Sequence, residues 1–277
     1  MKSKTLLLAL LASFAQFAVG QESAPAAPAP APVAVEVSMK LDFVAWGSAI
    51  DGLAVKVGSK EVAVTALSFQ YSKAVNYSGS SILEITQMPG GAAKPPVAPT
   101  DGKIPLSEFE KRRKENPNLV ALAYLPAGSR RVTILITPTG NATYQTYVID
   151  DDPTKLPLGQ LRIHNHSPMH IALRCNRKKP VELKLKQSAV IVPVDQNVIY
   201  ELAYEKNGKW NMQENNCMQV SEKEQVQLIV LKSNAKFFTS SDGSRGGFLQ
   251  TVVLRRNPSQ EAATEAAEQA VADASKK

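Results

Sequence analysis

Along most of the chain apolar and polar residues alternate with a period near two, the pattern of strands that bury one face. The alternation predicts strands over residues 39–46, 53–57, 61–67, 82–86, 132–137 and 144–149. It continues over 161–165, 170–175, 181–185, 189–192, 198–204, 226–232 and 248–254. Turn pairs punctuate these runs: Asp51-Gly52, Gly58-Ser59, Asn207-Gly208 and Asp242-Gly243. Asn207-Gly208, between ELAYEK and KWNM, is the strongest hairpin signal, because both residue types accept the positive φ of a two-residue turn.

Many short strands with closely spaced turns predict an all-β chain of tandem immunoglobulin-like β-sandwiches, or else one larger β-sandwich. One segment departs from the rhythm. Residues 88–100 form a Pro/Gly-rich loop, and PLSEFEKRRKE over 105–115 predicts a short helix. Ser107 is its candidate N-cap, Glu108 and Glu110 favour its first turn, and Asn116-Pro117 ends it. This helical insertion, 88–117, lies within a first sandwich over 37–152. The polar run DDDPTKLPLG at 150–159 marks the boundary to a second sandwich over 153–256.

The two ends have a different character. Lys2 and Lys4, then an apolar run over 6–17 and the small residues Ala18-Val19-Gly20, form the layout of a cleavable signal peptide over 1–20. The competing reading is an uncleaved N-terminal anchor. Cysteine is missing at the expected cleavage point, which excludes a lipoprotein, and the cut falls after the apolar run, which excludes a pilin. Residues 21–36 read as an Ala/Pro-rich linker favouring polyproline-II conformers. Residues 257–277 are Ala/Glu-rich with few large apolar groups, which predicts a disordered tail. The expected product is a soluble exported protein without a membrane span, in the periplasm, at the outer membrane or at the cell surface.

Charge changes this picture little. The formal net charge of +7 includes Lys2 and Lys4, which leave with the signal. The basic runs at 111–114 and 177–179 lack the interleaved aromatics of a nucleic-acid surface, so nucleic acid is excluded as a partner.

Candidate chemistry clusters in the second half. All 3 histidines, His164, His166 and His170, fall within one short run. A His-x-His pair on a strand projects both rings to one face, and a third after the turn completes a zinc- or copper-type set. The alternative places Ile163, Ile171 and Leu173 in the core and His164, His170 and Arg174 toward solvent. A strand ending at Asn165 also takes His166 out of line with His164. No metal site is therefore assigned.

The 2 cysteines, Cys175 and Cys217, are expected to form a disulfide in an exported protein, with free thiols as the alternative. Asp150-Asp151-Asp152 lacks the ligand spacing of an EF-hand and reads as a solvated turn. Trp46 and Trp210 are either core anchors or glycan platforms. No nucleophile elbow or phosphate loop is present, so no catalytic residue and no cofactor are assigned.

The run LGQLRIHNHSPMHIALRC over 158–175, followed by IYELAY at 199–204 and GKW at 208–210, resembles exported bacterial β-sandwich proteins of immunoglobulin-like type. Some of those are associated with outer-membrane or pilus-like assemblies. The resemblance covers the second half and carries no catalytic residues. It implies a non-enzymatic protein that mediates protein–protein interaction or assembly at the bacterial envelope or surface, with an envelope or surface protein as partner. The alternatives are a glycan-binding module and, below it, a His-cluster metal-binding protein.

Overall fold

Apolar residues at every second position bury one face of a strand, and here nearly every alternating run finds a sheet to join. A computed structural model describes residues 33–88, 104–138, 144–232 and 249–274. The expected signal peptide 1–20, residues 21–32 of the expected linker, residues 89–100 of the expected loop and the expected turn at Asp242-Gly243 lie outside the described residues. The protein is predominantly β, with two helices among the described residues.

The first half forms an 8-stranded sheet system. Its order is β6 (Leu119–Tyr124), β5 (Ile82–Gln87), β2 (Ile50–Val57), β3 (Lys60–Ser68), β1 (Glu36–Ala45), β7 (Arg131–Pro138) and β8 (Tyr144–Asp150). A further strand, β4 (Val75–Ser80), pairs antiparallel with the first part of β1. The two ends of this path approach each other, where Thr146 Oγ1 on β8 donates to the Leu122 carbonyl on β6 at 2.6 Å. Leu41, Phe43, Leu53, Val55, Ile85, Val132 and Ile134 fill the interior. Helix α1 (Leu106–Glu115) covers β6 through Phe109. Its N-cap is Pro105 with no side-chain cap bond, so Ser107 sits inside the first turn rather than capping it.

The second half places two 4-stranded sheets face to face. One runs β11 (Val181–Leu183), β10 (Ile171–Cys175), β13 (Asn197–Lys206) and β14 (Lys209–Gln219). The other runs β12 (Ser188–Ile191), β9 (Gln160–Asn165), β15 (Gln225–Lys232) and β16 (Leu249–Arg256). Leu161, Ile163, Val226 and Leu228 from one sheet meet Leu173, Val198, Tyr200 and Leu202 from the other. Asn207 and Gly208 take φ of 54° and 69° and close the expected β13–β14 hairpin. Asp51-Gly52, expected as a turn, is instead a bulge inside β2: Gly52 has φ 71° and the pairing with β3 shifts between Ile50 and Leu53.

The halves have separate cores but share a third apolar cluster. Val44, Trp46, Leu135 and Ile149 of the first half pack on Ile229, Leu231, Val252 and Leu254 of the second. Every described residue belongs to one compact unit.

The C-terminal run departs from expectation. Residues 258–274 form helix α2 (Pro258–Ala274) instead of a disordered tail. Ala, Glu and Gln favour the helix intrinsically, and three of its glutamates find cations on the body. Among the described residues no helix is long and apolar enough to cross a membrane.

Candidate functional site

The run at 150–159, expected as a solvated connection, is buried in part. Asp151 is 4% exposed and Asp152 3%. Leu156 and Arg162 are drawn inward with them, and Arg162 donates to the Asp150 carbonyl at 3.3 Å and to the Lys155 carbonyl. Its middle residues stay exposed, but where Asp151 and Asp152 turn inward their carboxylates need protein partners.

Those partners form a chain of ion pairs across the junction. Arg256, on β16, donates from Nη2 to Asp151 Oδ2 at 2.7 Å and to Asp42 Oδ2 at 3.0 Å. Asp42, on β1, is also held by Arg131 through Nε at 2.7 Å and Nη2 at 2.9 Å. Glu261 of α2 closes the cluster, accepting from Arg131 Nη1 at 2.8 Å and Arg256 Nη1 at 2.9 Å. The Arg256 guanidinium also lies over the Tyr71 ring at 4.0 Å. Burial opposes the Arg256 charge, but Asp151 and Asp42 overcome that cost and hold the group protonated above its ordinary value. Burial has the larger say at Asp151, whose carboxyl is lifted above the usual range against the pull of Arg256.

From Asp151 the chain continues to the histidines. Gln227 Nε2 donates to Asp151 Oδ1, which fixes the amide so that its Oε1 accepts from His164 Nε2, 2.5 Å away. His164 is 8% exposed, not solvent-facing, because the outer face of β9 lies against the first half. His166 does stay in line with it. His166 N donates to the Val230 carbonyl at 2.9 Å, extending the ladder one residue past the strand. The two rings lie parallel within 9° at 5.9 Å, and Tyr147 of β8 meets His166 at 5.2 Å. Burial pushes His164 down to about 3, helped by the neighbouring His166. Burial and Lys186 push His166 down to about 4, so both rings are neutral.

His170 is elsewhere. It sits just before β10, beside Trp210 (5.2 Å between centroids), with Nδ1 at 3.0 Å from Glu205 and Nε2 at 3.2 Å from Glu182. The three histidines therefore do not converge. Among the described residues no group of three or more His, Cys, Asp or Glu is placed to hold a metal, the aspartates at 150–152 included.

The expected disulfide is not formed: both thiols are free, Cys175 buried and Cys217 exposed. Cys175 on β10 opposes Tyr200 and Cys217 on β14 opposes Ile199, so β13 lies between them. Adjacent strands are about 4.8 Å apart, which puts the two Cα atoms roughly 10 Å apart, beyond disulfide reach. Tyr200 and Ile199 point to opposite faces of β13, and the thiols follow them.

The tryptophans separate in the same way. Trp46 is buried in the shared apolar cluster, donating to Gln250 Oε1 at 3.2 Å. Trp210 is 45% exposed, on the outer face of β14 with Met212 (62%) and, on β13, Ile199 (52%). The remaining outer face is polar: Arg174 forms a two-point pair with Glu201 at 2.9 and 2.7 Å.

No protein family matches the chain, and no curated protein is similar enough to count as a relative.

Proposed function

We propose that the chain is an exported, non-enzymatic protein of tandem immunoglobulin-like sandwiches that binds a protein partner at the bacterial envelope or surface. The observation that carries this reading is the outer face of the β13–β14 hairpin. It exposes Trp210 and Met212 on β14, the strand that ends the sheet, with Ile199 farther along the same face of β13. Among the described residues β14 pairs as a strand with β13 alone; Arg255 takes up the Gln219 carbonyl and Asn216 the Cys217 amide near its end, which leaves the Trp210–Met212 end of the edge for an added strand. Aromatic and Met side chains beside such an edge are the residue types that anchor interfaces. The ion-paired junction serves this role by holding the two halves in one arrangement.

The test compares the wild-type chain with Trp210→Ser/Met212→Lys. The expected result is a specific partner retained from envelope extracts by the wild type and lost by the variant. The β14 amides should also gain protection from hydrogen exchange in the complex. Equal retention by both chains, or no protection at β14, overturns the reading.

Glycan binding is the second reading, favoured by the half-exposed Trp210 indole with His170 and Glu205 alongside. A saturable change in Trp210 fluorescence on adding envelope polysaccharide supports it; no change removes it.

A further inference from the structure

A cavity of about 910 Å3 lies between helix α2 and the body, within the size range of binding sites. Its floor is the outer margin of the shared apolar cluster, where half-buried Phe69 and Tyr71 pack with Leu254. Phe69 holds a φ of 52°, in the left-handed region that bulky residues rarely adopt, and its ring stands 5.8 Å from that of Trp46. Backbone strain of this kind persists only where the surroundings fix it, and it clusters at binding sites. The rim is basic, with Lys40, Lys73, Arg131 and Arg256.

The helix above does not fill this space. Glu261, Thr264, Glu265, Glu268 and Gln269 line the cavity at positions i, i+3, i+4, i+7 and i+8, one face of α2. The glutamates take up the rim cations, while Thr264 and Gln269 bring no large apolar group to the floor. None of the described side chains of α2 is buried. The close packing that gives interiors their dispersion energy is therefore missing from this contact. Charge holds the helix, and the apolar floor is left without a matching face.

We propose that the groove under α2 is a docking site for an acidic amphipathic helix of a partner protein, with α2 as its intramolecular placeholder. The rim cations are engaged by α2, so an acidic ligand gains them by displacing the helix and not by binding beside it. Glu261, Glu265 and Glu268 set the pattern of the incoming helix, carboxylates at i, i+4 and i+7. Large apolar side chains at i+3 and i+8, where α2 carries Thr264 and Gln269, face the floor and gain the burial that α2 forgoes. Displacement costs little at Glu265 and Glu268, whose pairs are exposed. Asp42 and Asp151 keep Arg131 and Arg256 paired once Glu261 leaves. The α2 of a second copy offers the same polar face and adds the entropy cost of association, so it gains nothing over the resident helix. The groove is separate from the hairpin edge, since neither Trp210 nor Met212 lines it.

The probe is a fluorescent peptide of residues 257–274 carrying Thr264→Leu and Gln269→Leu, titrated into the full chain and followed by anisotropy. The expected result is saturable binding at least about tenfold tighter than that of the unaltered peptide. Hydrogen exchange of the chain's own 258–274 segment should quicken as the peptide binds. Glu265→Lys/Glu268→Lys in the chain loosens the resident helix and should tighten peptide binding about tenfold. Adding Lys40→Glu/Lys73→Glu to that chain restores the resident pairs in reverse and repels the peptide, so binding should weaken again at least about tenfold. Circular dichroism of the sheets should be the same in all three chains. No saturable binding to any chain, binding indifferent to the charge reversal, or a bound peptide with α2 still protected overturns the proposal. Equal binding of the two peptides also overturns it, and assigns the groove to α2 of a second copy.

Discussion

Arg256 and Asp151 meet at 2.7 Å where their side chains are only 2% and 4% exposed. The pair joins β16 to the segment linking the halves, and Arg256 reaches Asp42 from the same nitrogen. Removing the arginine leaves two carboxylates buried without their shared cation. Arg256→Met is therefore expected to cost about 3–5 kcal/mol, measured by urea unfolding. Asp151→Asn added to Arg256→Met should cost less than Asp151→Asn alone, by about 0.5–3 kcal/mol of coupling.

The buried histidines predict acid sensitivity. Both are held neutral when folded, down to about 3 for His164 and about 4 for His166, whereas the unfolded rings protonate near 6.5. The unfolded chain then binds protons that the folded chain refuses. Stability is full above pH 6.5 and falls as pH drops toward about 4. The slope is roughly 1.4 kcal/mol per pH unit for each histidine, or about 2 kcal/mol each by pH 5. His166→Phe should remove about half of that slope in unfolding curves at pH 7 and pH 5.

How much of this was legible depends on what each residue's partner is. Ile163, Ile171 and Leu173 alternate as core residues do, and the core holds all three. β6 escaped the alternation test because LVALAY is buried on both faces, Val120 and Ala121 toward the sheet interior and Leu119 and Leu122 toward α1. A strand covered twice reads as a continuous apolar run. β4 escaped for the opposite reason: in VNYSGS only Tyr77 is buried, with Val75 partly so, and its pairing with β1 defines it. The ionic junction had no local signal at all. Asp42, Arg131, Asp151 and Arg256 are far apart in sequence, and Asp151 sits in a run that reads as a turn.

Helix α2 is held to the body by charge. Glu261, Glu265 and Glu268 lie on one helical face and meet Arg131 and Arg256, Lys40 at 2.8 Å, and Lys73 at 2.5 Å. None of its described side chains is buried. The Lys40–Glu265 and Lys73–Glu268 pairs are exposed, contribute about 0–1 kcal/mol each and are screened by salt, so about 1 M NaCl should loosen the helix while the body stays folded. Hydrogen exchange should show faster exchange over 258–274 with the sheets still protected. Glu261→Gln should loosen the helix more than Glu268→Gln, since Glu261 alone engages two guanidinium groups, one of them 2% exposed.

The cysteines should behave as two unlike thiols. Burial pushes Cys175 up to about 11, so its thiolate is scarce and its sulfur enclosed beside Tyr200 in the core. Cys217 stands exposed on the opposite face. Alkylation without reductant should add one label quickly, and a second only once the chain is unfolded, with Cys217 carrying the first in peptide mass spectra. Two unlabelled cysteines would mean a bridge that needs β10 or β14 to leave its place beside β13. Stability should divide the same way. Cys217→Ser is expected to change it by no more than about 0.5 kcal/mol. Cys175→Ser buries a hydroxyl among apolar neighbours and should cost about 1–3 kcal/mol.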